Sequence, residues 1–599
     1  MTRLRSTWKK VVAGVYRFED TCNVYLIKKG HEAIVFDFGS GAWRSSLGDI
    51  GVKTIRHVFL THAHRDQVAG LAARSTWPFE VHASDKDLPF YQPEPLARFW
   101  KSLRAGGCPS NYLAPREPLP FVQPDVRYAV EIPWANTRVC PFPTPGHTQG
   151  ALTYLVAWNG KALAFSGDAV HAGGTIYQPY HLEWDHWTAE GSLAAWYGLE
   201  RLRYCQIDFL LPSHGPLVKT NARKCIQQAQ DRLMAFIRAK GSVCENELDR
   251  WLPLEPLDFG AKRVLPDLYY FGANSYLLVG ENGEGFIVDP TRPDIDRLLP
   301  LMKETGVRTI TAATASHFHR DHSDGLNWLR DRFGTPAWLH PWVAEPIRDQ
   351  NRYDLPWLPV ESVQADRVLP EAGTFRWNKY RFQIRPFPGQ TWWHCAFDTT
   401  INDRHVLFSG DNFQPPSRWN GTGGFCAYNG CQFTEGFTRS AETALEIAPD
   451  LIANGHGCIY HFHAPHYRKL ITWSTRAEKA VKDLCPTSHW RHDYDCRQMT
   501  WDPYRTETRP GESFTSSFTF CNQTRSEIAV IVEAVAPGGW RSPGKQRRFT
   551  VPPGKTRRAA FTFRVPRKAA PGQYLIAADV TINGRPVGEA AVSIVEVST

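Results

Sequence analysis

The sequence predicts an α/β (α+β) chain built as two consecutive copies of one fold and closed by an all-β sandwich. Three observations predict it. A set of short motifs occurs twice in the same order, about 250 residues apart. Each copy mixes period-two strands with period-3.6 helical stretches. Beyond about residue 503 only short alternating segments separated by Pro-Gly turns remain, as in an immunoglobulin-like sandwich. The implied domains are 1–250, 251–499 and 500–599, which suits a chain of 599 residues.

The first copy opens at residues 14–39, GVYRFEDTCNVYLIKKGHEAIVFDFG, two alternating strands joined by a Gly-containing turn and ending at Asp37. Its partner, residues 267–290, ends at Asp289 in the same way. Next come VFLTHAHRDQ (58–67) and ATASHFHRDH (313–322), each an apolar strand that runs into a His-rich loop. Both copies then carry a Pro-Gly turn (Pro145-Gly146, Pro388-Gly389), a strand ending Phe-Ser-Gly-Asp at Asp168 and Asp411, and a His-Gly pair at His214 and His456. The Asp-to-His spacing is 46 residues in one copy and 45 in the other, close enough to predict one architecture. Residues 221–239 read as a helix with Ile226, Ala229, Leu233 and Phe236 on one face, and 471–484 as its counterpart. In the last hundred residues SFTSSFTF, AAFTFRV and AAVSIVEV alternate between turns at Pro510, Pro537, Pro553 and Pro571, with the boundary near Thr500.

Composition narrows the function classes. Hydrophobic residues at 42% and charged residues at 22% exclude disorder and collagen, and no apolar run reaches the roughly 18 residues of a membrane span. A net charge of +9 is small for this length, so nucleic acid is not an expected partner. The 13 cysteines are odd in number and lack C-x-x-C pairs, which predicts mostly buried reduced thiols. The first residues lack the apolar core of a signal peptide, so a cytoplasmic location is expected.

The residues that carry chemistry are His62, His64, Asp66, His147, Asp168 and His214 in the first copy, and His317, His319, Asp321, His322, Asp411 and His456 in the second. Imidazoles and carboxylates are ligands that zinc or iron favours. Each lies at or near the end of an apolar strand, often beside Gly or Pro, so all project from one edge of a sheet scaffold.

In these motifs the chain resembles the metallo-β-lactamase superfamily, whose fold is an αββα sandwich and whose signature is H-x-H-x-D-H, a glycine-histidine motif, an aspartate and a last histidine. The resemblance covers residues 10 to about 490 as two tandem domains, and the Thr-Pro-Gly-His-Thr and Ser-Gly-Asp forms look most like the glyoxalase II branch. It implies a site for one or two metal ions per domain, Zn2+ with Fe or Mn as alternatives. His62, His64 and His147 would bind one ion of the first domain, and Asp66 and His214 the other, with Asp168 bridging. In the second, His317 and His319 would bind one, and Asp321, His322 and His456 the other, with Asp411 bridging.

Each copy departs from the signature once. Gln67 stands where a histidine for the second ion belongs, and Gln390 where one for the first ion belongs. His394 lies four residues after Gln390. A tight turn after Gly389 would let it serve instead, whereas a straight strand would carry it roughly 13 Å away.

This constellation supports hydrolysis by metal-bound hydroxide, the ion lowering the pKa of its water to about 7 and polarising the bond under attack. Asp66 and Asp321 are the candidate catalytic residues, orienting the hydroxide. The expected substrate is a small molecule with a thioester, lactone, phosphodiester or similar bond. Two readings compete: an iron-dependent oxidoreductase on the same fold, and a scaffold with one degenerate metal domain and a binding sandwich. The 85 residues from His62 to His147 and 73 from His317 to Gln390 leave little room for the inserted domain of nuclease relatives.

Other features take bland readings. His82 and His340 are expected to be structural, and Trp184, Trp187, Trp392, Trp393 and Trp419 to be packing or an apolar substrate wall. The sandwich contains no histidine and is expected to be an accessory domain. Its cluster of Arg541, Lys545, Arg547, Arg548, Lys555, Arg557 and Arg558 is read as solvated, with an anionic or polysaccharide partner as the alternative.

Overall fold

A computed structural model describes residues 7–102, 114–126, 130–184, 189–241, 252–413, 427–457, 459–488, 490–541, 544 and 546–599. Each of the two copies is a pair of sheets packed face to face. In the first, a seven-stranded sheet runs in chain order from Lys9–Val12 to Gln123–Val126. The other sheet has five strands, from Ile132–Trp134 at one edge to Phe209–Pro212 at the other. The inner faces meet through aromatic residues: Phe36 of one sheet stacks on Phe165 of the other with ring centroids 3.7 Å apart. Val15, Tyr25, Ile34, Val139, Tyr154 and Leu211 complete that buried layer.

The second copy repeats the plan with two six-stranded sheets. In both copies the second sheet is an antiparallel meander with a crossover: Lys161–Gly167 pairs in parallel with Phe209–Pro212, and Arg404–Gly410 with Leu451–Asn454. A parallel pair needs a covering connection, and the helices Glu190–Leu202 and Arg439–Ile447 supply it. Helices thus lie outside paired sheets, the αββα arrangement.

The expected helix at 221–239 is Ala222–Gly241, and Ile226, Ala229, Leu233 and Phe236 are all buried. Its counterpart is Ala464–Leu484, seven residues longer at its start than the apolar period indicates, because Pro465 in the first turn opens the helix. The two helices share one core with Leu470, Trp473, Ala477 and Val481, and the Trp473 indole donates to the Ala239 carbonyl. The two copies are therefore joined through their outer helices.

The sandwich begins at Met499–Asp502, which pairs with Ser513–Cys521, beside the expected boundary at Thr500. A three-stranded and a five-stranded sheet enclose Trp501, Phe518, Phe520, Val532, Phe561 and Ile576. The burial of Ser513–Cys521 and Thr556–Arg564 alternates residue by residue, as a half-buried pleat requires. The sandwich is not set apart from the rest. Leu575, Ala577, Val592 and Ile594 on its outer face belong to the same apolar cluster as Trp100, Phe236 and Tyr494. Among the described residues no helix is long and apolar enough to cross a membrane.

Candidate metal centres

Four strand ends of the first copy build its centre. The loop after Thr54–Phe59 carries His62, His64 and Asp66, the turn after Thr137–Pro143 carries His147, and Asp168 and His214 follow Lys161–Gly167 and Phe209–Pro212. Ligand atoms of His62, His64 and His147 lie within 4.8 Å of one another, and so do those of Asp66, Asp168 and His214. Asp168 links the two groups. Its Oδ2 is 3.6 Å from both His62 Nε2 and His147 Nε2, and its Oδ1 accepts from His214 Nδ1 at 2.9 Å. His214 Nε2 is 3.1 Å from Asp66 Oδ2.

Burial depresses His62 to about 4 and His147 to about 3, and drives His64 well down as well, so all three rings are neutral near pH 7 and offer lone pairs. Burial would lower His214 too, but the Asp168 and Asp66 carboxylates outweigh it and hold its pKa at about 10. His64 Nε2, both ring nitrogens of His147 and Asp66 Oδ1 are buried without a hydrogen-bond partner. Unsatisfied buried lone pairs are costly unless something binds them, and their convergence fits a metal ion.

The supporting layer is anchored by Asp37, held in the left-handed region at φ 57°. It accepts from Thr61 N at 2.8 Å and from Ser213 Oγ at 2.6 Å. Thr61 Oγ1 is 3.0 Å from His62 Nδ1 and orients that ring. Gln67 is fully buried, with its amide nitrogen 3.3 Å from Asp66 Oδ2.

The second centre is organised differently. Here His317, His322 and Asp411 form one group, and Asp321, His322 and His456 the other, with His322 shared. Asp289, at φ 52°, corresponds to Asp37, and its Oδ2 lies 3.1 Å from His322 Nδ1. Asp411 Oδ1 is 3.3 Å from His322 Nε2, and its Oδ2 is 3.3 Å from His456 Nε2. Although burial opposes it, Asp411, Asp321 and Asp289 raise the pKa of His322 well above its ordinary value.

Two expected ligands of this copy stand outside both groups. His319 points Nε2 at Asn429 Oδ1, 2.7 Å away. His394 pairs with His317 as a β-bridge, stacks on its ring at 4.8 Å, and turns Nε2 toward the backbone N–H of Asp411 at 3.4 Å. It is Gln390 whose amide reaches Asp411 Oδ2, at 3.1 Å. Both residues weighed for this position thus lie at the centre, Gln390 on Asp411 and His394 against His317.

Several neighbours carry no spacing signal in the sequence. His181 lies 4.4 Å from the His64 ring and shares a hydrogen bond with Tyr428 of the second copy. Tyr177 stacks on His214 at 3.8 Å. Asn274 donates to Asp321 and accepts from His456 N. Beside His214 opens a cavity of about 510 Å³ lined by Arg17, Thr21, Tyr177 and His171, and also by Arg585 and Pro586 of the sandwich.

His340 is a satisfied helix cap, accepting from Trp342 N and bonding the Glu371 carbonyl. Trp184 donates to the Gly146 carbonyl beside His147, and Trp392 stacks on Trp342. Trp393 packs edge-on to Phe318. Trp187, Trp419 and Lys545 lie outside the described residues. Arg541, Arg547, Arg548, Lys555, Arg557 and Arg558 are exposed. Cys22, Cys225, Cys395, Cys431 and Cys485 are buried.

A family model described as the metallo-beta-lactamase superfamily matches residues 17–223 and 268–468, and one described as the NPCBM-associated, NEW3 domain of alpha-galactosidase matches residues 508–583. The chain is similar to the uncharacterized protein YobT of Bacillus subtilis (strain 168), 25% identical over 225 residues, or 35% of this chain and 90% of that protein. Among solved structures it is similar to a metallo-beta-lactamase of Cronobacter sakazakii with a HARLDQ motif, 17% identical over 39% of this chain and 93% of that one, with a TM-score of 0.30. A metallo-beta-lactamase family protein of Thermus thermophilus is 18% identical over 39% of this chain and 83% of its own, also with a TM-score of 0.30.

Proposed function

This chain belongs to the metallo-beta-lactamase superfamily, and from that premise we propose that it is a metal-dependent hydrolase of a small polar molecule whose working site is the first centre. One observation carries the reading: three neutral, buried imidazoles converge there, linked through Asp168 to His214, which lines a 510 Å³ cavity. A cavity of that size suits a small substrate.

In this reading His62, His64 and His147 hold one ion tightly, and an imidazole set suits Zn2+. A divalent ion supplies Lewis acidity, both to acidify a water and to polarise the bond under attack. The chain supplies the rest. Although burial opposes it, His214 keeps the Asp66 carboxyl below the usual carboxylate range, so Asp66 is ionised near pH 7 and can orient water and take its proton. His214, protonated near pH 7 and stacked on Tyr177, holds the Asp66 and Asp168 carboxylates in position. Arg17, Asp20 and Arg585 offer polar contacts in the cavity to a thioester, lactone, phosphodiester or similar substrate. The second centre would hold an ion through Asp321, His322 and His456 with Asp411.

The test is a panel of ester, thioester, lactone and phosphodiester substrates with metal-stripped and zinc-, manganese- or iron-loaded protein. A His62→Ala, His64→Ala double variant should lose nearly all turnover, while His322→Ala retains it within a few-fold. Full activity of stripped protein would refute the hydrolase reading, and the opposite ranking of the variants would move the active site to the second centre.

A further inference from the structure

A third group of ligand-type side chains lies away from both centres. His57 and Glu80 are directly opposite one another on the parallel strands Thr54–Phe59 and Glu80–Ser84, and His82 lies opposite Phe59. Three atoms converge there. His57 Nδ1 is 3.1 Å from His82 Nε2 and 3.3 Å from Glu80 Oε2, and His82 Nε2 is 3.6 Å from the same Glu80 oxygen.

That triangle has the dimensions of a metal site. Ligands about 2.0–2.1 Å from a tetrahedral zinc stand roughly 3.3–3.4 Å from one another, and two histidines with one carboxylate are a familiar zinc set. A single proton could bridge only one edge of the triangle at a time, whereas one ion satisfies all three corners. The geometry is also pre-set. The His82 ring is buried and stacked on Phe59 at 4.9 Å, and the strand pairing fixes His57 against Glu80. Glu80 is largely exposed, leaving the fourth position open to water and giving the ion a way in.

This group is separate from the catalytic architecture. His57 precedes His62 by five residues along one extended segment, roughly 16 Å at strand rise. The second copy does not repeat it. Ala312 stands five residues before His317, and the Ala313–Ala337 bridge puts Trp338 opposite Thr314, where the first copy has His82 opposite Phe59. The side chains are therefore not required by the shared fold.

We propose that His57, Glu80 and His82 form a third metal site, peculiar to the first copy, for a zinc-class divalent cation. The ion would pin together the two parallel strands, one of which runs on into the His62-Ala63-His64 loop.

The experiment compares metal-stripped full-length chain with its Glu80→Gln and His57→Ala variants. Each is titrated with Zn2+ against a chromophoric chelator and with Co2+ by visible absorption. The wild type should take up one more equivalent than either variant, or bind that equivalent at least about tenfold more tightly. A His62→Ala, His64→Ala double variant should lose a different equivalent and keep this one. Because Glu80 is exposed, Glu80→Gln leaves the fold intact. Equal stoichiometry and affinity in wild type and Glu80→Gln would overturn the proposal.

Discussion

Arg65, between His64 and Asp66 in the metal loop, is almost completely buried, and its guanidinium is held by Glu589 of the sandwich, 524 residues away in sequence. Nη2 donates to the Glu589 carbonyl at 2.9 Å, and Nε lies 3.3 Å from the carboxylate. Arg116 grips the same carboxylate through Nε and Nη2. The loop that presents three candidate ligands is thus fastened to a domain that contributes none.

Glu589→Ala should therefore act on the first centre from a distance. Removing one partner of a buried pair leaves an uncompensated cation and costs about 3 kcal/mol or more. Thermal denaturation should show the loss, and zinc affinity of the first centre should fall while that of the second is unchanged. An unaltered melting temperature and zinc affinity would mean that Arg116 and the backbone carbonyl are enough.

Removing residues 500–599 should be more damaging still. The sequence suggests an accessory module whose loss spares metal content. In the structure the cut would strip Glu589 from Arg65 and Arg116, open the 510 Å³ cavity on the Arg585 side, and expose Trp100, Phe236 and Tyr494. The expected truncation is aggregation-prone and poorly loaded with metal at the first centre, as read by size-exclusion chromatography and metal analysis. A monomeric truncation with full metal content would restore the accessory reading.

The two-copy plan and the strand-end positions of His62, Asp168 and His214 are legible in the sequence because His62 ends an apolar strand that runs into a His-rich loop, while Asp168 and His214 stand beside Gly or Pro at strand ends. What happens at Gln390 and His394 is not. There the choice depends on a turn in which Gly389 N bonds Thr391 O and on Cys395 N pairing with Ser316 O, contacts that put His394 in strand register with His317. Spacing alone allows either residue to face Asp411. The Arg65–Glu589 tie leaves no trace in local pattern, since neither residue breaks the periodicity of its own segment.

A paired replacement explains the first centre's missing histidine. In the second copy Asp289 meets His322, and Gly455 precedes His456; in the first, Gln67 and Ser213 stand at these positions, and Ser213 Oγ occupies the Asp37 oxygen that a histidine would use. Gln67→His alone should therefore bind a second ion at this centre poorly, because Ser213 competes for Asp37. The Gln67→His, Ser213→Gly double variant should bind that ion at least about tenfold more tightly than the single variant does. Equal affinity in the single and double variants would show that Ser213 does not gate the position.

The two halves of the first centre should also respond differently to pH. His214, at about 10, is raised above the roughly 6.5 of an unfolded histidine. In metal-free protein its contribution to stability is therefore fully present below about pH 6.5 and is lost as pH rises through about 10. An ion bound by Asp66, Asp168 and His214 must displace that proton, so zinc affinity there should climb with pH, by up to about tenfold per unit, until His214 is neutral. His62 at about 4 and His147 at about 3 are already deprotonated, as is His64, so the three-imidazole position should bind zinc with nearly constant affinity from about pH 6 to 9. Zinc titrations across this range should resolve one flat and one rising affinity, and His214→Ala should remove only the rising one. Two affinities that rise in parallel would show that the imidazoles of the first group share protons with Asp168 and His214, against the separation drawn between the two halves.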